Sequence, residues 1–88
     1  MTAATVEFLH RRLQALAPTR LEIVDDSHRH AGHAGAKEGG HYTLTIVAAA
    51  FSGQTTIARH RLVHTTVGDL RANGIHALSI RALAPEEV

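Results

Sequence analysis

The apolar residues of this chain change their spacing three times, and the order of those changes leaves few folds open. Val6, Leu9, Leu13 and Leu16 recur every three or four residues, which aligns them on one face of a helix from Thr2 or Thr5 to Leu16, stopped by Pro18. "RLEIVDD" then sets Leu21 and Ile23 against Glu22 and Val24, the period of a short strand closed by acidic turn formers. "HYTLTIVAA" places Tyr42, Leu44, Ile46 and Ala48 on one side and Thr43, Thr45 and Val47 on the other, with β-branched residues favouring a pleat. Helical spacing returns with Leu62, Val63, Val67 and Leu70, in a helix from Thr55 or Thr56 to about Arg71 with the Asn73-Gly74 pair as its C-cap. Finally "IHALSIRAL" opposes Leu78 and Ile80 to Ala77, Ser79 and Arg81 before Pro85 ends it.

Two strands joined by a loop pair antiparallel, whereas two strands separated by a helix can pair parallel through a crossover. The order helix, strand, strand, helix, strand therefore predicts an α+β fold, a small mixed three-stranded sheet with both helices on one face. The 88 residues are read as one domain, residues 1–88, because two shorter halves could not each bury a core. Aromatic residues are only 3% of the chain, so aliphatic side chains and alanine must do most of the packing.

Several functions are disfavoured by composition. A formal net charge of +1 predicts neither strong nucleic-acid binding nor an acidic partner at pH 7. No cysteine is present, which leaves no disulfide, no thiol nucleophile and no thiolate ligand, so any bound metal must use nitrogen or oxygen. There is no run of about 18 apolar residues and no leader pattern at the start, so a cytoplasmic protein without a membrane segment is expected. No catalytic constellation stands out. Ser27, Ser52 and Ser79 lack a nucleophile-elbow context, and Asp25 and Asp26 read as a turn rather than an acid/base dyad.

Histidine is the exception. Four of eight histidines fall in "DDSHRHAGHAGAKEGGH", residues 25–41, between the first two strands. Connections this long are usually functional or disordered. His28, His30 and His33 are candidate metal ligands, yet glycine-rich backbone orders at a high entropic cost, so a three-histidine site confined to the loop would be poorly preorganised. A solvated loop, a self-contained metal site and a loop histidine acting with a ligand from elsewhere are the three readings. His76 is the candidate from elsewhere: it opens the last strand in step with Leu78 and Ile80, which predicts that it points to the helix-covered side. The loop could lean over either end of the sheet. His60 and His64 lie four apart on one helical flank without an evident third ligand, and packing histidines are the simpler reading. Arg59, His60 and Arg61, with Arg71 and Lys37, form a small candidate phosphate-contacting patch.

Taken together, "LEIVDDSHRHAGH", "FSGQTTIARHRLVH" and "GIHALSIRALAPEE", preceded by a short amphipathic helix, resemble the BolA family in order and spacing. The resemblance covers nearly the whole chain, and "RHRLV" at 59–63 and "HALSI" at 76–80 are its most specific parts. It implies a class II KH-like α+β fold and a non-enzymatic adaptor that partners a monothiol glutaredoxin in iron–sulfur cluster trafficking. In that arrangement the glutaredoxin cysteine and glutathione ligate a [2Fe–2S] cluster from one side and the BolA-like protein completes it. The isolated protein, a monomer or weak homodimer, is then expected to carry no cofactor. His76 matches the family's C-terminal histidine ligand. The second ligand comes from the loop between the first two strands, and the lack of cysteine places this chain with the histidine type. His30 best matches that loop position, with His28 and His33 as alternatives. Many relatives carry a Ser-Glu-Thr-His-Phe-like run before the second strand; here the chain reads "GAKEGGHYTL", and His41 matches the histidine of that run. A second role attributed to relatives is transcriptional regulation through DNA, with Arg59, His60, Arg61 and Arg71 as the contacting residues.

Overall fold

The computed structural model describes residues 2–26 and 40–88. Its elements are helix α1 (Thr2–Leu13), strands β1 (Arg20–Asp25) and β2 (Gly40–Val47), helix α2 (Thr56–Val67) and strand β3 (Ile75–Leu83). Short 3-10 turns follow α1, β2 and β3, at Gln14–Leu16, Ala49–Phe51 and Pro85–Glu87, and another, Arg71–Asn73, precedes β3. The sheet order is β1-β2-β3, antiparallel between β1 and β2 and parallel between β2 and β3, as the order of periods predicts.

β2 is the central strand, and its alternation divides the sheet into two faces. Tyr42, Leu44 and Ile46 are buried with Leu9 and Leu13 of α1, Val63 and Val67 of α2, Phe51 and Ile75 in one apolar cluster. Both helices therefore cover the same face. On the opposite face Arg20 and Glu22 of β1 and Ser79 and Arg81 of β3 are exposed, flanking the half-buried Thr43 and Thr45. Burying a Leu or Phe side chain contributes about 1.5–3 kcal/mol, so the fully enclosed Leu9, Leu13, Leu44 and Phe51 are principal contributors to a core that is short of aromatic residues.

The helix ends differ from the expectation. α1 stops at Leu13 and tightens into a 3-10 turn, with Ala17 left-handed at φ 49° before Pro18. α2 stops at Val67 rather than near Arg71, because Gly68 adopts φ 90° and ψ −150°, a conformation that essentially only glycine tolerates. The Asn73-Gly74 pair caps the following 3-10 turn instead, with Gly74 left-handed at φ 78°. Thr55 caps the start of α2, its hydroxyl accepting from the Ala58 N–H at 3.1 Å.

Candidate functional site

β1 ends, β2 begins and β3 begins at one end of the sheet. Asp25 pairs with Tyr42, and Gly40 pairs with Ile75. The Asp26 N–H donates to the His41 carbonyl at 2.7 Å, and the Gly40 N–H donates to the Gly74 carbonyl at 2.9 Å. The Thr43 hydroxyl donates to the Asp26 carboxylate, which holds the outgoing chain against β2. The histidine-rich segment thus leaves and rejoins the described structure beside the start of β3. Of the two sheet ends open to it by sequence, its anchors lie at the one that carries His76.

The register between β2 and β3 is irregular here. Gly40 pairs with Ile75 but His41 pairs with Ala77, so one step along β2 matches two along β3 and His76 is the extra residue of a bulge. Ile75 is buried in the core, and Leu78 and Ile80 pack against it from positions beyond the bulge. His76 escapes their parity. Its ring lies 5.0 Å from the ring of His41, centroid to centroid, with the planes tilted by 43°. His41 is two residues before Thr43 on the face away from the helices, so the expectation that His76 turns to the helix-covered side is overturned by the bulge. Both imidazoles are half-buried.

Gly40, the residue before His41, accommodates the Tyr42 ring. A Cβ placed on it would lie 2.6 Å from Cε2 and 2.7 Å from the hydroxyl oxygen of Tyr42, whose side chain is 3% exposed and lies over the glycine. Any side chain at position 40 must therefore push the Tyr42 ring out of its place or shift the strand end that carries His41.

The other candidate residues are dispersed. His28, His30 and His33, and Lys37, lie outside the described residues. His60 is half-buried and His64 exposed on α2, and among the described residues no group of three metal-ligating side chains forms around them or elsewhere. Arg59 is committed within the fold. Its guanidinium donates to the Gln54 carbonyl at 3.0 Å, to the Ala82 carbonyl at 3.0 Å, and through two nitrogens to the Glu87 carboxylate at 2.6 and 2.9 Å. The Glu87 carboxylate also accepts from the Ala84 N–H at 2.8 Å. The Arg59 hydrogen bond, followed by the Ala84 N–H, lowers the Glu87 pKa to about 2. The first arginine of "RHRLV" is thus a clasp joining α2, the end of β3 and the last 3-10 turn, and it does not offer phosphate a free cation. Arg61 and Arg71 are exposed, Arg61 on α2 and Arg71 at the start of the 3-10 turn that follows it. His41, which the sequence-derived ligand set lacks, is the residue the structure adds to the site. Its signal is positional, as the first side chain of β2 at the end where β3 begins.

The family model for BolA-like protein matches residues 13–87. The chain belongs to the BolA-like family. Among relatives of this BolA-like chain, SufE-like protein 1 of Arabidopsis thaliana, chloroplastic/mitochondrial, is 42% identical over 79 residues, which are 83% of this chain and 21% of that protein. The chain thus spans about a fifth of that relative's length. The solved structure of BolA1 from Arabidopsis thaliana superimposes with a TM-score of 0.80 at 34% identity, covering 96% of this chain and 95% of that one. A relative from Vibrio cholerae named DNA-binding transcriptional regulator BolA is 37% identical over 70 residues, 80% of this chain and 64% of that protein. No helix among the described residues is long and apolar enough to cross a membrane.

Proposed function

We propose that this BolA-like chain is an adaptor that binds a monothiol glutaredoxin and shares a [2Fe–2S] cluster with it for iron–sulfur cluster assembly, trafficking or iron sensing. The observation that carries the reading is the position of His76, turned by the bulge toward the open face at the sheet end where the histidine-rich segment is anchored. His76 is one ligand in this reading and His30 the other, with His28 and His33 as alternatives. Reach supports the pairing. His30 is four positions after Asp26, at most about 14 Å of extended chain. Asp26 is itself bonded to His41, whose ring lies 5.0 Å from that of His76.

The donor chemistry fits a cluster held jointly. Imidazole nitrogens on one side, with thiolates supplied by the glutaredoxin and glutathione on the other, give mixed ligation of the kind that raises a cluster's reduction potential. The test is co-purification of the chain with a monothiol glutaredoxin and glutathione, followed by visible absorption and circular dichroism. The cluster spectrum should be lost or reshaped in His76→Ala and weakened in His30→Ala. An unaltered spectrum in the double variant would overturn the assignment.

DNA binding is the second reading, favoured by the name of the Vibrio cholerae relative and by the exposed Arg61 and Arg71. It predicts salt-sensitive binding to a promoter fragment, with a shallower salt slope in Arg61→Ala/Arg71→Ala. A salt slope unchanged by those substitutions would count against it.

A further inference from the structure

We propose that the His41 and His76 pair is a chelating site of the isolated chain for a late first-row divalent cation, the class of Ni2+, Cu2+ and Zn2+. The site lies across two neighbouring strands and needs neither a partner protein nor a cluster. It departs from the expectation that the isolated protein holds no cofactor, and it does not depend on the glutaredoxin reading.

Ring separation is the first support. A metal–nitrogen bond of about 2.1 Å, with ring atoms about 1.1 Å from the imidazole centre, places each centroid ~3.2 Å from a shared cation. Two such centroids would then stand ~5.2 Å apart at a tetrahedral angle and ~4.5 Å apart at a square-planar one. The observed 5.0 Å falls between the two. A tilt of 43° is not a face-to-face stack, and the terminal ring torsion of histidine is soft enough to aim both nitrogens at one point.

The backbone supplies the second. His41 is tied on one side by its carbonyl to Asp26 and is next to Gly40, which bonds Gly74. His76 is held in a bulge between the buried Ile75 and the paired Ala77. Two donors fixed on adjacent strands lose little freedom on binding, unlike donors on glycine-rich backbone. Borderline imidazole nitrogen selects the late first-row ions over Mg2+ or Ca2+, which prefer oxygen. Water, or a further donor, completes the coordination. Because His76 belongs to this site and to the proposed cluster site, a cation here and a shared cluster exclude each other.

The test is titration of the full-length chain, free of glutaredoxin and glutathione, with Ni2+ or Zn2+ alone, read by calorimetry and by the histidine ring signals in NMR. With Zn2+ the rings of His41 and His76 should shift first and together. Losing an outer-sphere partner of a metal ligand already costs roughly 10–100-fold, so His41→Ala and His76→Ala should each weaken the tightest site by about tenfold or more. His60→Ala/His64→Ala should leave it unchanged. His41→Gln, which keeps a polar side chain at the strand end, should weaken binding as His41→Ala does, and circular dichroism shows whether each variant is folded. Undiminished affinity in folded His41→Gln would overturn the proposal. So would affinity abolished by removal of His28, His30 and His33 with no shift at His41. Neither result would bear on the glutaredoxin complex, which is assayed without added metal.

Discussion

Replacing Gly40 by alanine tests how the sheet end that carries His41 and His76 is built. The new methyl would meet Tyr42 Cε2 at 2.6 Å, whereas ordinary contact begins at 3.4 Å, so the ring or the strand must give by about 0.8 Å. Tyr42 is 3% exposed and packs in the core cluster, which restricts where the ring can go. Overpacking of this kind costs about 1–3 kcal/mol. Alanine also removes unfolded-state entropy, which offsets about 0.4–1 kcal/mol, leaving a net loss of roughly 1–2 kcal/mol. For a domain of this size that corresponds to a fall in Tm of about 4–16 °C. The assay is thermal and urea unfolding of Gly40→Ala in two backgrounds, the native one and Tyr42→Leu. With the ring removed, the alanine should be neutral or stabilising, giving a coupling energy of at least ~1 kcal/mol. Equal losses in both backgrounds, or no loss in the native one, would show that the Tyr42 ring does not exclude a side chain at position 40.

Three further outcomes follow from the same structure. Glu87, with its pKa lowered to about 2 in the folded state against an ordinary value near 4.3, contributes stability that is fully present above about pH 5 and is lost as the pH falls toward 2. Glu87→Gln should therefore lower the urea midpoint at pH 6 and converge with the native chain near pH 2; a gap that does not change with pH would contradict the clasp. Gly68→Ala forces a side chain into φ 90°, ψ −150° and should destabilise by about 1–3 kcal/mol in urea unfolding. Leu44→Ala, at the centre of β2 and fully buried, should cost about 2–5 kcal/mol by the same measurement.

Strand periods were legible because each belongs to a single segment. β3 runs over Ile75–Leu83 as its alternation indicates, and β2 turns Tyr42, Leu44 and Ile46 to the helices as its pattern requires. The end of α2 was harder to place, because Leu70 continues the helical spacing as the N-cap of the next 3-10 turn while Gly68 has already broken the backbone. The bulge at His76 is a property of two strands in register, and nothing in "IHALSIRAL" alone reveals that His41 pairs with Ala77. For that reason period two put His76 on the helix-covered side. Arg59 illustrates the same limit, since the carboxylate that engages it lies 28 residues away. Its place in a basic-looking run suggested a free cation; the fold makes it a clasp.

NMR titration of the labelled chain with a cluster-loaded monothiol glutaredoxin, following the eight histidine ring signals, tests the shared-cluster reading at its ligands. Perturbation and paramagnetic broadening should centre on His76, with His41 and the backbone of Gly40 beside it and one of His28, His30 or His33 joining them. Effects confined to His60 and His64, with His76 unmoved, would contradict it.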